Sequence, residues 1–346
     1  DFWIDRLLQH HFAMLVQSKV NGSARRQTHG VSNGLGDRDL ALESEGGAHG
    51  DLFQCITQFY NGNTEITLGR LTALISHSPL GIDKQGIQRV VASESYAGGM
   101  LDKQGGHIHP LNLALGEAEA VESLGGSIFE QSPALRIEYG DAPLVHTPKG
   151  TVRARFVVVA GNAYLGNLIP ELAAKSMPCG TQVVATEPLD DELANSLLPQ
   201  DYCVEDCNYL LDYYRLSADK RLIYGGGVVY GARDPADIES IIRPKMLKTF
   251  PQLEKVKIDF AWTGNFLLTL SRLPQVGRLG SNIYYSQGCS GHGVTYTHVA
   301  GKVIAEALSG QAERFDALAS LPHYPFPGGQ RFQVPLSALG AMYYNL

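Results

Sequence analysis

Tyr284–Leu308 reads YYSQGCSGHGVTYTHVAGKVIAEAL. A strand-like run, Asn282 to Ser286, enters a knot of glycines, Gly288, Gly291 and Gly293, and a helical pattern follows at once. Glycine reaches positive φ and lets another group approach the backbone closely. A glycine corner between a strand and a helix gathers free backbone N–H groups at one point. The helix N-terminus adds about half a positive charge there. Such a corner suits an anion or an electron-rich carbonyl. It also serves as a plain tight turn and cap, because glycine is commonplace at helix ends. Val299, Val303 and Ala307 form the expected buried face of the helix, with Ala300 and Gly301 small enough for it to press on a sheet.

Upstream, TVRARFVVVAGNAY (151–164) alternates and then turns continuously apolar at Phe156–Ala160, as a buried parallel strand does. HPLNLALGEAEAVES (109–123) puts Pro110 at a first helical position and Leu111, Leu115, Ala118 and Val121 at helical spacing. GGSIFEQ (125–131) and ALRIEYG (134–140) read as strands. Residues 176–270 are rich in Tyr, Val and Thr, with alternating runs such as TQVVATEP and YLLDYYRL, and predict a mostly antiparallel sheet. One helical stretch, DIESIIRPKMLKTFPQL (237–253), interrupts it and carries Pro244. GGGVVYG (225–231) follows a strand but lacks G-x-G-x-x-G spacing and opens no helix, so it reads as a bulged strand.

The fold class is therefore α/β (α+β): a discontinuous nucleotide-type, Rossmann-like domain with an inserted sheet domain. Its two parts are 83–175 and 271–346, and the insert is 176–270. Residues 1–82 are polar, glycine-rich and weakly periodic, and remain unassigned.

The 346-residue chain is 44% hydrophobic and 18% charged, ordinary for a globular protein. A net charge of −7 without a basic stripe argues against a nucleic-acid partner. The apolar runs are too short to span a bilayer, and no charged-then-apolar leader opens the chain. Five scattered cysteines fit reduced thiols and a cytoplasmic setting. Cys203 and Cys207 lack a second Cys/His pair nearby, so no metal site is expected.

Several long strings then coincide: GGHIHPLNLALGEA (105–118), VVVAGNAYLGN (157–167), MPCGTQVVATEPL (177–189), residues 202–235, LPQVGRLGSNIYYSQGCSGHGVT (273–295) and LPHYPFPGGQRFQVP (321–335). Through them, residues of about 85–344 resemble the D-amino-acid-oxidase superfamily of FAD-dependent amine and amino-acid oxidoreductases. The narrower likeness is to members that oxidise gamma-glutamylputrescine. The resemblance implies FAD as cofactor, with the corner against the flavin. Gly288, Gly291, His292, Gly293, Val294 and Thr295 would line the isoalloxazine and ribityl side. Ala160 and Gly161 would pass the dinucleotide closely, and Ala134 would offer backbone to adenine. It also implies a small-molecule amine substrate, O2 as acceptor, and aldehyde, ammonia and H2O2 as products in putrescine catabolism.

Amino-acid oxidases of the superfamily often carry W-x-G-x-R-P, whose Arg grips a substrate carboxylate. Here the string is WTGNFLLTLS (262–271), with Trp262 retained and Phe266 at the Arg position. An apolar side chain has replaced a bidentate carboxylate partner, which disfavours simple alpha-amino acids. Tyr213, Tyr214 and Arg215 either contact a longer amine or merely alternate between core and surface. His107 and His109 precede a helix and read as capping or surface residues. The family's N-terminal strand–G-x-G-x-x-G–helix, with its acidic ribose ligand, has no counterpart in residues 1–82; NGLGDRDL (33–40) has two glycines but no apolar strand before it. That gap opens an alternative: an FAD-deficient relative acting as a binding or assembly protein.

Overall fold

A computed structural model describes residues 12–15, 55–58, 80–102, 106–206 and 211–344. The absent fingerprint, NGLGDRDL, Gly105 and Cys207 lie outside the described residues.

Two sheets organise the chain. The smaller has the order β1 (Phe12–Leu15), β8 (Phe156–Val159), β15 (Ile283–Gln287), β14 (Gln275–Leu279). β8 is parallel to both β1 and β15, and β14 returns antiparallel along β15. The FVVV run is thus enclosed on both sides, which is why it is apolar without alternation. Its two faces fill two cores. Val157, Val159 and Ile283 pack on Leu165, Ile169, Leu172, Ile137 and Val145. Phe156, Val158 and Tyr284 pack on the other side against Ala300, Val303, Ile304 and Leu308. That second layer is the helix after the corner.

The larger sheet has the order β13-β9-β12-β11-β10-β2-β4-β3. These strands are β2 (Cys55–Gln58), β3 (Leu80–Ile82), β4 (Gly99–Asp102), β9 (Ser176–Thr186), β10 (Cys203–Glu205), β11 (Asp212–Leu216), β12 (Leu222–Tyr230) and β13 (Ile258–Thr269). All neighbours are antiparallel except β10 and β2. Residues 80–102 therefore share a sheet with strands of 176–270. β12 breaks register between Gly226 and Val229, so GGGVVYG is a bulged strand. Side chains alternate across this sheet. One face carries Val184, Tyr214 and Tyr224, which pack with Ile242, Met246 and Phe250 from the stretch 239–250. The Tyr214 and Tyr224 rings stack at 5.3 Å, and Tyr214 Oη donates to Tyr96 Oη at 2.5 Å. The other face carries Glu205, Tyr213, Arg215, Thr181, Trp262 and Phe266.

The helices include α1 (Pro110–Ser123), α2 (Glu239–Thr249, with Pro244 inside) on the Tyr214 and Tyr224 face of the large sheet, and α3 (Gly293–Leu308) after the corner. Two expectations need correction. In α3 the buried stripe is Ala300, Val303, Ile304 and Leu308, while Val299 is exposed and nothing approaches Gly301. The i, i+3, i+4 spacing starting at Ala300 selects that stripe, and Val299 lies off it. Residues 125–131 form no strand, and Phe129 points outward. A small antiparallel sheet, β5 (Arg136–Glu138), β6 (Leu144–Thr147) and β7 (Gly150–Arg153), follows instead. Among the described residues, no helix is long and apolar enough to cross a membrane.

Candidate active site

The corner joins the two sheets. Gly288 has φ +70, Ser290 φ +52 and Gly291 φ +98, so three of four consecutive residues hold the left-handed region before the helix begins. Gly288 is needed for space as well: a Cβ there would meet Thr269 Cγ2 at 2.5 Å. Its N–H donates to Asn162 Oδ1 at 2.9 Å, and Ser290 N–H donates to the Leu267 carbonyl at 3.0 Å. The first bond ties the corner to the residue after Gly161, and the second ties it to the edge of β13. Asn162 is itself at φ +41, a conformation that Asn tolerates better than most residues. Its Nδ2 also points at Cys289 Sγ, 3.8 Å away. Asn162 escaped the sequence reading. The signal was an Asn following Gly161 at the end of a buried strand.

α3 then starts at Gly293 with His292 at its N-cap, and no side chain caps the helix. Gly291, His292, Val294 and Thr295 are exposed around that terminus, and nothing lies within 4 Å of a Cβ built on Gly291. An uncapped sixteen-residue helix presents its first N–H groups and positive end to whatever occupies the space beside it. The donor set fits the electron-rich N1–C2=O edge of a flavin. Gly161 is buried, with Leu165 Cα 3.3 Å from a Cβ built on it. Ala160 is half-buried, and Ala134 packs on the core beneath β8.

The remaining candidates lie on one face of the large sheet, whose β13 the corner touches at Leu267 and Thr269. Tyr213 lies flat over Gly225, where any Cβ would collide with its ring, and its hydroxyl bonds Thr181 Oγ1 at 2.8 Å. Burial pushes the phenol above its ordinary range. Trp262 is 41% exposed, and nothing lies within 4 Å of a Cβ on Gly264 beside it. Phe266 is half-buried and packs against the buried cluster of Met177, Cys179, Leu268 and Phe326, so it forms the apolar end of this wall. Burial pushes the Cys179 thiol up to about 12, which leaves it an inert packing residue.

Arg215 is half-buried, and desolvation lowers its pKa from the ordinary guanidinium value. Its Nη1 donates to the Leu216 carbonyl at 3.1 Å and reaches His107 Nδ1 at 3.5 Å. Since Nδ1 accepts there, Nε2 carries the proton and donates to the Asp201 carbonyl at 3.0 Å. His107 is therefore held against Arg215. His109 instead caps α1, accepting from Asn112 N–H at 3.3 Å. Glu205 is a second residue the sequence reading missed. It pairs in register with Tyr213 and keeps an exposed surface while protein crowds its carboxylate, as in a recess. Burial raises its pKa, and the charge of His292 pulls it back down, so the two side chains lie within electrostatic reach. Among the described residues, no group of three or more His, Cys, Asp or Glu side chains is placed to hold a metal ion.

Against known proteins, the family model described as FAD dependent oxidoreductase matches residues 41–307. Gamma-glutamylputrescine oxidoreductase of Escherichia coli K12 is 64% identical over 266 residues, covering 77% of this chain and 62% of that protein. A probable oxidoreductase, OrdL, of Haemophilus influenzae is 39% identical over 269 residues, covering 76% of this chain and 61% of its own. The chain thus spans about three fifths of the length of these curated relatives. Glycine oxidase of Geobacillus kaustophilus shares the fold with a TM-score of 0.68 at 20% identity, covering 79% of this chain and 75% of its own. L-proline dehydrogenase of P. horikoshii does so with a TM-score of 0.66 at 19% identity, covering 76% and 74%.

Proposed function

The chain belongs to the FAD dependent oxidoreductase family, and from that premise we propose that it oxidises the terminal amine of gamma-glutamylputrescine or a similar long-chain amine. The balanced reaction takes R–CH2–NH2, O2 and H2O to R–CHO, NH3 and H2O2. The observation that carries this reading is the uncapped α3 terminus, whose His292 lies within electrostatic reach of Glu205 beside Tyr213, in a chain 64% identical to a gamma-glutamylputrescine oxidoreductase.

Bound FAD supplies the hydride acceptor and the path of electrons to O2. The chain's own groups do the rest. Gly288, Gly291, His292, Gly293, Val294 and Thr295 would hold the ring edge, where the positive end of α3 favours negative charge. Ala134, Ala160 and Gly161 would border the remainder of the dinucleotide. Tyr213, Trp262 and Phe266 exclude water and lie along the alkyl chain. Arg215 meets a carboxylate distant from the reacting carbon, its guanidinium oriented by His107. With Phe266 in place of a clamp, the Arg position of the W-x-G-x-R-P string offers an alpha-carboxylate no cation.

The test measures peroxide release with gamma-glutamylputrescine, putrescine and D-alanine. Release with the first above the other two is expected; release with D-alanine alone would sink the reading. The missing G-x-G-x-x-G favours one other reading, an FAD-deficient relative that binds or assembles without catalysis. A flavin absorbance band in the purified protein excludes it.

A further inference from the structure

The face of the large sheet that carries Tyr213, Arg215, Trp262 and Phe266 also carries a carboxylate that the fold leaves open. Val204, Glu205 and Asp206 are consecutive, so their side chains alternate between the two faces of the sheet. Val204 packs with Tyr214 in the buried cluster, and buried Asp206 accepts from the Asp212 N–H at 3.0 Å. Glu205 takes the other face, directly opposite Tyr213 and diagonal to Arg215. It keeps an exposed surface and, among the described residues, makes no hydrogen bond and no ion pair. Arg215 does not neutralise it, because its Nη1 goes to the Leu216 carbonyl and to His107 Nδ1. Burial opposes the ionised form of Glu205, the charge of His292 favours it, and the charge of Asp206 opposes it. Beyond burial, the Glu205 charge is among those that raise the Tyr213 phenol. Glu205 is thus in electrostatic reach of both Tyr213 and the α3 terminus.

An open carboxylate within reach of the proposed ring site is a receptor for a cation, and the amine reading supplies one. An alkyl amine has a pKa of about 10, so it arrives at neutral pH as R–CH2–NH3+. In that form nitrogen has no lone pair to become the C=N bond when the carbon loses hydride. We propose that Glu205 is a catalytic residue that binds the ammonium of the reacting end and takes its proton. The step converts R–CH2–NH3+ and Glu205–COO− to R–CH2–NH2 and Glu205–COOH. An N–H bond breaks, an O–H bond forms, the electron pair stays on nitrogen, and nothing is oxidised or reduced. Ammonia released when the imine is hydrolysed takes the proton back as NH4+ and restores the carboxylate. Burial helps, since a carboxylate raised above its ordinary range is the better base. Arg215 on the same face then meets the distant carboxylate, so two charges that do not pair with each other hold opposite ends of one substrate. This role rests on the amine reading and deepens it.

The pH profile of kcat/KM for gamma-glutamylputrescine, per bound flavin, is the first test. Wild type holds a plateau below the pKa of the amine, because Glu205 removes the ammonium proton. Glu205→Gln turns over only amine that is already neutral, so its kcat/KM rises about tenfold per pH unit up to about pH 10. At pH 7 the variant is expected to lose about 10²–10⁴-fold, and the loss shrinks as pH rises. A loss equal at every pH, or a profile like that of wild type, overturns the proposal. Wild type inert on the amine at every pH sinks the amine reading and this step together, whereas an active wild type with either of those variant profiles sinks the step alone. The second test needs neither a variant nor turnover. Calorimetry on the wild-type holoenzyme compares a substrate analogue whose amine is replaced by trimethylammonium, which has no lone pair to oxidise, with its uncharged tert-butyl isostere. The charged analogue is expected to bind at least about tenfold tighter. Equal affinities overturn the proposal.

Discussion

Asn162 shows how one side chain can hold a corner together. Its Oδ1 takes the Gly288 N–H, and its own backbone lies at φ +41. Asn162→Ala leaves a part-buried donor unpaired, at about 1–3 kcal/mol, and keeps a positive φ on a residue that dislikes it. Asn162→Gly loses the same bond but relieves the backbone. The alanine variant is therefore expected to unfold at lower denaturant than the glycine variant, and both below wild type; equal midpoints for all three would show that the bond does not hold the corner. Glu205 makes a pH prediction. Its folded pKa lies above the ordinary value of about 4.5, chiefly through burial. The folded state therefore binds the proton more readily than the unfolded state. The stabilisation is fully present below that ordinary value and is lost as pH rises through the raised one. Glu205→Gln has no such titration, so wild type loses stability relative to the variant across that window. Parallel pH–stability curves would refute this. Phe266 tests the substrate argument. Phe266→Arg forces a cation among Met177, Cys179 and Leu268, and lowers turnover of the native amine per bound flavin. Phe266→Leu keeps the apolar character and costs under about 1.5 kcal/mol. Unchanged turnover per flavin in both variants would make Phe266 a packing residue only.

At the scale of elements, the corner was legible because it combines signals from both sides. The apolar strand, the glycines and the helical spacing of YYSQGCSGHGVTYTHVAGKVIAEAL admit few other structures. The bulge in β12 was legible for a related reason: its three glycines follow a strand and open no helix. The buried side of α3 was read one residue off, since Val299 and Ala300 are both apolar and only packing on Tyr284 and Val158 decides between them. α1 shows a different limit. Its stripe of Leu111 and Leu115 predicts burial, yet both are exposed. Periodicity reports which side of a helix is apolar, not what covers it. Glu205 was not read, and His107 was read only as a capping or surface residue, because their roles come from strands and loops distant in sequence. The corner glycines separate two effects by substitution. Gly288→Ala meets both a positive φ and Thr269 Cγ2, whereas Gly291→Ala meets only the positive φ. Denaturation is expected to show a larger loss for Gly288→Ala, with Gly291→Ala costing about 1–2 kcal/mol. The reverse order would mean that the Gly291 space is filled by something that packs against it.

For the whole molecule, the question is how much of a dinucleotide this chain can grip. On the proposed reading the ring would meet a built terminus: α3 uncapped, Gly291 open, and the corner tied to both sheets through Asn162 and Leu267. Residues 1–346 carry no G-x-G-x-x-G loop of the kind whose backbone N–H groups and helix dipole hold the pyrophosphate elsewhere in such folds. For residues 1–346 by themselves, the affinity expected is that of the isoalloxazine and ribityl part. A ligand that binds only the folded state raises stability by RT ln(1 + [L]/Kd), which is about 2.7 kcal/mol at a hundredfold excess over Kd. Thermal melts with FAD and with riboflavin, at matched concentrations, compare the two ends of the cofactor. Both are expected to raise Tm, with Kd values within about tenfold, a difference of about 1.4 kcal/mol. Gly291→Val fills the open space beside α3 and should weaken both ligands equally. FAD binding a thousandfold tighter than riboflavin would show that residues 1–82 supply a phosphate site of another design. Riboflavin and FAD both leaving Tm unchanged would instead remove the ring site at the α3 terminus, and with it the basis for oxidation by this chain.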